Sequence, residues 1–494
     1  MPRRRTPEQT QAGQEEIADA AVDDAILPRP AEPPEGGTSS SNPRLACTGL
    51  DAPHAGGMLT FDDPLLVARR HRLEAELAES LGGALLLVHA GTPIPLPENT
   101  DRTYPFRAHS EYFYLTGLEC PGAVVAYDPS DRSGEKWHTF VPALTEGEAV
   151  WEGRSQVPGE LLDGLESWIS ARNRPQVHLG APPLSRPHAG DDERRAHRVR
   201  EHFRHARRPK DARELALLRK AAACTEAGFL AVRTRLRSTD DSQSERGLQI
   251  ALETAFFEEG AHRTGYGSVV GSGPNAAVLH FDPSARRIRE GEFVLVDAGA
   301  EVDRYVCDVT RTFVAGGKPT PFQRDLHRLV VAVEEAAIAR CRPGVEWKDL
   351  HLRSALELTA GLVDLGILRG NAESLVEQDA HTLFYPHGLG HLVGLGVRDA
   401  SGTLPGRTKD PRPSLKTLRT DLPLRPGYVI TVEPGVYFIP TLLNDPVRRE
   451  RYRESVNWPV VEALLELGGV RIEDNVLITE GDPEVLTAAI PKAW

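Results

Sequence analysis

Four carboxylates lie where apolar strand-like segments end or turn. Asp297 follows "FVLV", Asp308 follows "YVC", Glu433 follows "VITV" and Glu473 lies in "VRIEDN". Carboxylates are rarely buried unless they are paired or bind a metal, so four of them beside apolar runs point to a shared site. The segment "HGLGHLVGLG" adds His387 and His391 among glycines, which allow close approach of backbone and side chains. Two readings of this pair stand side by side: metal ligands, or a glycine-rich turn whose imidazoles bond to backbone. Imidazole and carboxylate donors together suit Mn²⁺, Fe²⁺, Co²⁺ or Zn²⁺, and a carboxylate-rich set leans toward Mn²⁺. Bridging carboxylates can hold two such ions, and a pair of ions activates a water and polarises a carbonyl. His280, in "SGPNAAVLHF", is a further candidate through the company it keeps. The chain has no G-x-S-x-G elbow, no G-x-x-x-x-G-K-[ST] loop and no H-E-x-x-H helix, and "GSGPNAA" does not have dinucleotide-loop spacing.

The carboxylates need strands to carry them. "FVLVDAGAEV", "YVCDVTRTFVAGG", "YVITVEPGVYF" and "VRIEDNVLIT" have β-branched content and turn residues at their ends, and helices are predicted over about 321–341 and 346–366 between them. A long helix is predicted from about Asp211, with Leu215, Leu218, Ala222, Phe229, Val232 and Leu236 on one face. Upstream, "LLVARRHRLEAELAESL" reads as an amphipathic helix, and "GALLLVHAG", "AVVAYDP", "KWHTFVP" and "QVHLG" read as short strands. Helices alternating with strands give an α/β fold class, with a small domain over 58–205 and a larger one over 206–494. The Arg- and His-dense stretch 186–210 is expected to be a solvated helix or linker at their boundary. Residues 1–57, as in "RPAEPPEGGTSSSNP", bury too little apolar surface to offset ordering entropy, so a disordered tail is expected.

With 494 residues, two domains and a tail are the expectation. A net charge of −13 repels phosphate backbones, so nucleic acid is not expected as a partner. No apolar run approaches the ~18 residues of a membrane helix. The five cysteines, Cys47, Cys120, Cys224, Cys307 and Cys341, are sparse and not in CxxC pairs, which argues against a disulfide framework and a structural zinc site. The basic start (Arg3, Arg4, Arg5) is not followed by an apolar segment, so a secretory signal is not expected and the cytoplasm is the default.

The ordered set Asp297, Asp308, His391, Glu433 and Glu473, in the contexts "DAGAEV", "DVTRTF", "HGLGH", "TVEPGVY" and "RIEDN", resembles the metal-ligand set of the proline-specific peptidases, aminopeptidase P and prolidase. "YPFRAHSEYFYLTGLECPGAVV" is similar to the N-terminal domain that these enzymes share with creatinase. The resemblance covers essentially everything after residue 58. It implies an N-terminal creatinase-like α/β domain followed by a C-terminal pita-bread catalytic domain, two divalent ions, short proline-containing peptides as substrates and a homodimer. It also implies roles. Asp297 and Asp308 would chelate one ion, while Asp308 and Glu473 bridge to a second that His391 and Glu433 complete. Glu433 would be the general base, His280 and His387 would contact the scissile amide, and Arg471 would orient the carboxylates.

The stretches "LKTLRTDLPLRPGYVITVEPGVYFIPTLL" and "ESVNWPVVEALLELGGVRIEDN" look most like prolidase, with Arg419 resembling the arginine that holds the dipeptide carboxylate. The expected activity is therefore Xaa-Pro dipeptidase, with Xaa-Pro aminopeptidase as the alternative. Metal-free creatinase-like hydrolysis and a non-catalytic binding protein on the same fold are the other readings. In one place the chain departs from the family. Where the family has "VHD" after the ligand histidine, this sequence has "VRD", with Arg398. A guanidinium cannot exchange a proton near neutral pH but can bind an anion such as a substrate carboxylate.

Overall fold

A computed structural model describes residues 60–97, 102–181, 193–237 and 243–493. The expected tail, residues 1–57, lies outside them, and Met58–Trp494 clusters as one compact unit. The unit opens on the helix Pro64–Leu81. Asp63 caps it by accepting from the Leu65 amide at 2.9 Å, Pro64 fits the first turn, and Gly82 ends it in the left-handed conformation at φ 55°.

The first sheet has five strands: β1 (Leu85–His89), β2 (Val124–Tyr127), β3 (Trp137–Val141), β4 (Glu160–Leu161) and β5 (Gln176–Gly180). Their order is β4-β3-β2-β1-β5, with β1 antiparallel to β2 and parallel to β5. Strand β1 reads Leu-Leu-Leu-Val-His and is buried along its whole length. Leu86 and Val88 join one apolar cluster and Leu85 and Leu87 another, so both faces of the sheet are covered.

The stretch expected as a solvated linker is more than that. Helix Glu193–Arg207 buries Ala196, Val199 and Phe203 in the first cluster, while Arg194, His197, Arg198, Arg200, Arg204 and His205 are exposed and Arg207 is buried. Three apolar residues at helical spacing suffice to dock a helix whose other positions are charged, a pattern that the charge density of the sequence conceals. The boundary expected near residue 205 falls in the last turn of this helix. The cluster itself continues into Leu218, Val429 and Leu477.

Helix Ala212–Arg237 follows and buries Leu218, Ala222, Phe229, Val232 and Leu236, with Leu215 packed at its margin. Beyond it lie β6 (Arg263–Thr264), β7 (Val269–Ser272), β8 (Phe293–Ala298), β9 (Ala300–Val302), β10 (Tyr305–Val306) and β11 (Val309–Val314). Strand β8 is sandwiched antiparallel between β7 and β11. Helices Pro321–Ala339 and Trp347–Asp364 occupy the two predicted positions, the first behind a capping box of Thr320 and Gln323.

The last strands are β12 (Gly402–Thr403), β13 (Thr420–Asp421), β14 (Val429–Val432), β15 (Gly435–Tyr437), β16 (Gly469–Arg471), β17 (Asp474–Leu477) and β18 (Glu484–Val485). Strand β14 pairs with β17 and β15 with β16. An isolated bridge, Thr310 to Glu473, ties these ribbons to β11. The fold is thus mixed α/β, with the acidic residues gathered where the β8–β11 hairpin meets the two C-terminal ribbons.

Candidate metal centre

Each acidic side chain is delivered by a strand end. Asp297 is the fifth residue of β8, and Asp308 immediately precedes β11. Glu433 sits in the break between β14 and β15, and Glu473 in the break between β16 and β17. His391 is held against β14 by reciprocal backbone contacts. Its amide donates to Thr431 Oγ1 at 3.0 Å, and the Thr431 amide donates to its carbonyl at 2.8 Å. Gly390 makes this approach possible, because a Cβ there would lie 2.0 Å from the Thr431 carbonyl oxygen.

Asp308, His391 and Glu473, all buried, present ligand atoms within 4.8 Å of one another. The His391 Nδ1–H donates to the Leu392 carbonyl at 3.1 Å, which leaves Nε2 facing Asp308 Oδ2 at 3.4 Å and Glu433 Oε1 at 3.9 Å. The backbone bond of the second reading is therefore present at His391, and it aims the free nitrogen at the carboxylates.

Asp297 and Glu433 line the same cavity but stand apart from the three. Tyr266 bonds its hydroxyl to Asp297 Oδ1 at 2.7 Å and to Asp308 Oδ1 at 2.5 Å, bridging the two carboxylates. Arg471 donates to Asp297 Oδ2 at 2.6 Å, to Thr310 Oγ1 at 2.9 Å and to the Tyr437 hydroxyl at 2.9 Å. Thr310 in turn donates to Glu473 Oε2 at 2.7 Å. The expected orienting role of Arg471 thus has a geometric basis in a contact with one carboxylate and a relay to another.

His387 has both ring nitrogens engaged. Its Nδ1–H donates to the Gly388 carbonyl at 2.9 Å, so Nε2 accepts from the Tyr437 hydroxyl at 2.8 Å. Burial, reinforced by the charge of Arg471, pushes this imidazole down to about 3 and keeps it neutral. His280 lies on an exposed turn at the cavity edge, and Arg398 and Arg419 also line the cavity. Burial lowers Arg419, as does the charge of nearby Arg398, while Glu433 opposes both.

The electrostatics of the cluster call for a cation. Burial raises Asp297 against the pull of Arg471. Burial, then the charges of Asp308, Glu433 and Asp297, holds Glu473 well above the usual carboxylate range. Burial pushes Glu433 up to about 7 despite His391 and Arg471. His391 is raised, because the bond to Asp308 and the neighbouring charges outweigh its burial. Carboxylates crowded into a cavity of about 430 Å³, where of the three lining arginines only Arg471 bonds to one of them, fit a divalent ion, whose charge would let all of them ionise.

Tyr266, Thr310 and Tyr437 were not singled out in the sequence. Tyr266 stands in "TGYGS", a turn with no periodicity to mark it. Tyr437 and Thr310 read as ordinary strand residues until their partners are known.

Comparison with known proteins gives the same picture. The sequence matches Metallopeptidase family M24 over residues 216–480 and the aminopeptidase P N-terminal domain over 67–165. A probable Xaa-Pro aminopeptidase of Botryotinia fuckeliana is 31% identical over 406 residues, 80% of this chain and 87% of the relative. One of Aspergillus terreus is 31% identical over 419 residues, 79% and 88%. Among solved structures, Pseudomonas aeruginosa aminopeptidase PepP superposes with a TM-score of 0.69 at 27% identity, covering 87% of this chain and 96% of that one. Zn-substituted Escherichia coli aminopeptidase P in complex with product gives 0.70 at 26% identity, covering 86% and 96%.

Proposed function

The chain belongs to metallopeptidase family M24, and from that premise we propose that it is an Xaa-Pro aminopeptidase, releasing the residue before proline from the N-terminus of peptides longer than two residues. The observation that carries the reading is the convergence of Asp308, His391 and Glu473 within 4.8 Å, in a cavity that Asp297 and Glu433 also line. The relatives named above support the aminopeptidase over the dipeptidase that the C-terminal motifs suggested. They carry the Xaa-Pro aminopeptidase name, whereas the dipeptidase reading rested on Arg419 and its surrounding sequence.

Asp297, Asp308, His391, Glu433 and Glu473 would hold two divalent ions, with Mn²⁺ the ion toward which a carboxylate-rich set leans and Co²⁺, Zn²⁺ and Fe²⁺ the alternatives. When bound, such ions supply a water acidic enough to attack at neutral pH and polarise the scissile carbonyl. The protein does the rest. Glu433 lies 3.9 Å from both His391 and His387, beside the reacting position, and is placed to take the water's proton. Tyr266 and Arg471 fix Asp297 so that its oxygens cannot rotate. Tyr437 steadies His387 at the cavity wall, and His280 stands at the mouth to meet the substrate. Among the described residues no helix is long and apolar enough to cross a membrane. A homodimer acting on cytoplasmic peptides completes the proposal.

The test is a peptide panel on Mn²⁺-loaded enzyme: Ala-Pro, Ala-Pro-Ala and longer peptides beginning Ala-Pro. The expected result is that tripeptides and longer are cleaved with higher kcat/KM than Ala-Pro. Faster cleavage of the dipeptide would restore the dipeptidase reading, and no cleavage of any member would remove the peptidase.

A further inference from the structure

Beside the catalytic cavity lies a second one of about 400 Å³, and Arg398 lines both. The second cavity is cationic. Arg200, Arg204, Arg207 and Arg398 border it against a single carboxylate, Glu111, in a protein whose net charge is −13. Arg398 and Arg200 have no hydrogen-bond or ion-pair partner among the described residues, and both are exposed. Arg207 is buried, and its Nε has no hydrogen-bond partner among the described residues. Glu111 is drawn to His109, with Arg207 Nη1 at 3.8 Å, and Arg204 contacts Glu201 at 2.5 Å. Each acid is thus matched to a particular base, leaving guanidinium charge over.

The segment that carries Arg398 is anchored. Its neighbour Asp399 is fully buried between Arg207 Nη2 at 2.5 Å and Lys210 Nζ at 3.0 Å, and accepts from the Leu395 amide at 3.1 Å. The end of the Arg-rich helix Glu193–Arg207 therefore fixes the junction between the two cavities. Guanidinium groups without partners, Arg200 and Arg398, bordering a concavity beside this anchored junction suit a carboxylate, which can take two charge-assisted hydrogen bonds from a guanidinium fork.

We infer that this second cavity is a subsite for the C-terminal carboxylate of short peptides, with Arg398 as the residue that carries the chain from the catalytic cavity into it. This rests on the aminopeptidase reading and adds to it. It makes the enzyme selective for short peptides with a free C-terminus, because only a carboxylate within reach of the cavity is neutralised there. A dipeptide ends before that point, and an amidated peptide brings no charge.

The experiment pairs free-acid and C-terminally amidated forms of Ala-Pro peptides of three to six residues on the Mn²⁺-loaded full chain. At the length whose terminus reaches the cavity, the acid is expected to exceed the amide in kcat/KM by about 10-fold to 100-fold, the worth of a charged hydrogen bond. The double variant Arg200→Gln, Arg204→Gln, which leaves the catalytic cavity untouched, is expected to lose most of that preference while keeping wild-type turnover of the amides. Calorimetric binding of Pro-Ala-Ala and its amide gives a readout without turnover. Preferential binding of the acid with no cleavage would sustain the subsite and remove the aminopeptidase. Cleavage with equal rates for acids and amides at every length would do the reverse. Inorganic phosphate that competes with peptides showing no acid preference would make the cavity a general anion site and overturn the inference.

Discussion

Strands β1 and β11 are both buried from end to end, yet they do opposite work. In β1 four of the five buried positions are Leu or Val and join two apolar clusters, with only the terminal His89 polar and bonded to His178. In β11 the sequence Val-Thr-Arg-Thr-Phe-Val brings Thr310, Arg311 and Thr312 into the interior. Each of these is satisfied. Thr310 bonds to Glu473, Arg311 to Asp474 Oδ1 at 2.6 Å and the Glu473 carbonyl at 2.7 Å, and Thr312 to the Arg471 carbonyl at 3.0 Å. A buried polar group without a partner costs more than a hydrogen bond contributes, so such a strand is tolerated only when its network is complete. Apolar burial gives the first sheet stability without direction. The hydrogen-bonded burial of β11 gives the second region direction, since it decides where each carboxylate points.

That contrast can be broken most severely at the ligands. Asp308→Ala or Glu473→Ala is expected to lower activity by more than ~10²-fold with loss of bound metal, exceeding what residues that only support ligands contribute. Metal analysis beside turnover checks it, and either variant with near wild-type values would remove that residue from the centre. Glu433→Gln, which keeps the shape and an oxygen donor, is expected to cut kcat by at least ~10²-fold while retaining more metal than the alanine variants.

A smaller effect is expected one contact further out. Arg471→Lys keeps the charge but cannot reach Asp297, Thr310 and Tyr437 together. Metal affinity should fall by ~10- to 100-fold, measured by titration against a chelator, with little change in thermal midpoint once metal is saturating. A variant that melts early yet binds metal normally would show the arginine to be a packing element.

The least effect on chemistry is expected from the apolar strand. Leu86→Ala should lower unfolding stability by about 2–5 kcal/mol, read by denaturant titration, and leave the kcat of the folded enzyme unchanged. A large loss of kcat in the folded state would show that the first sheet also directs the site.

Much of this was legible in the amino-acid order. The strands bearing Asp297, Asp308, Glu433 and Glu473 are marked by β-branched runs, and the helix from Ala212 by its apolar face, because both periodicities are local. The carboxylates stood out because charge is unusual in such runs. The helix Glu193–Arg207 was obscured, since three apolar contacts among so many charges weigh little until the surface that receives them exists.

The sequence by itself determined which acids and histidines were available and which local element carries each. Only the tertiary structure decided that Tyr266 bridges two of the acids, that Tyr437 and Arg471 link Asp297 to His387, and that Arg398 joins a second, arginine-lined cavity to the first. The reason is physical: these contacts join residues from 31 to 174 positions apart. No local propensity encodes such a pairing; it exists once the strands have packed and brought these buried polar groups within reach of one another.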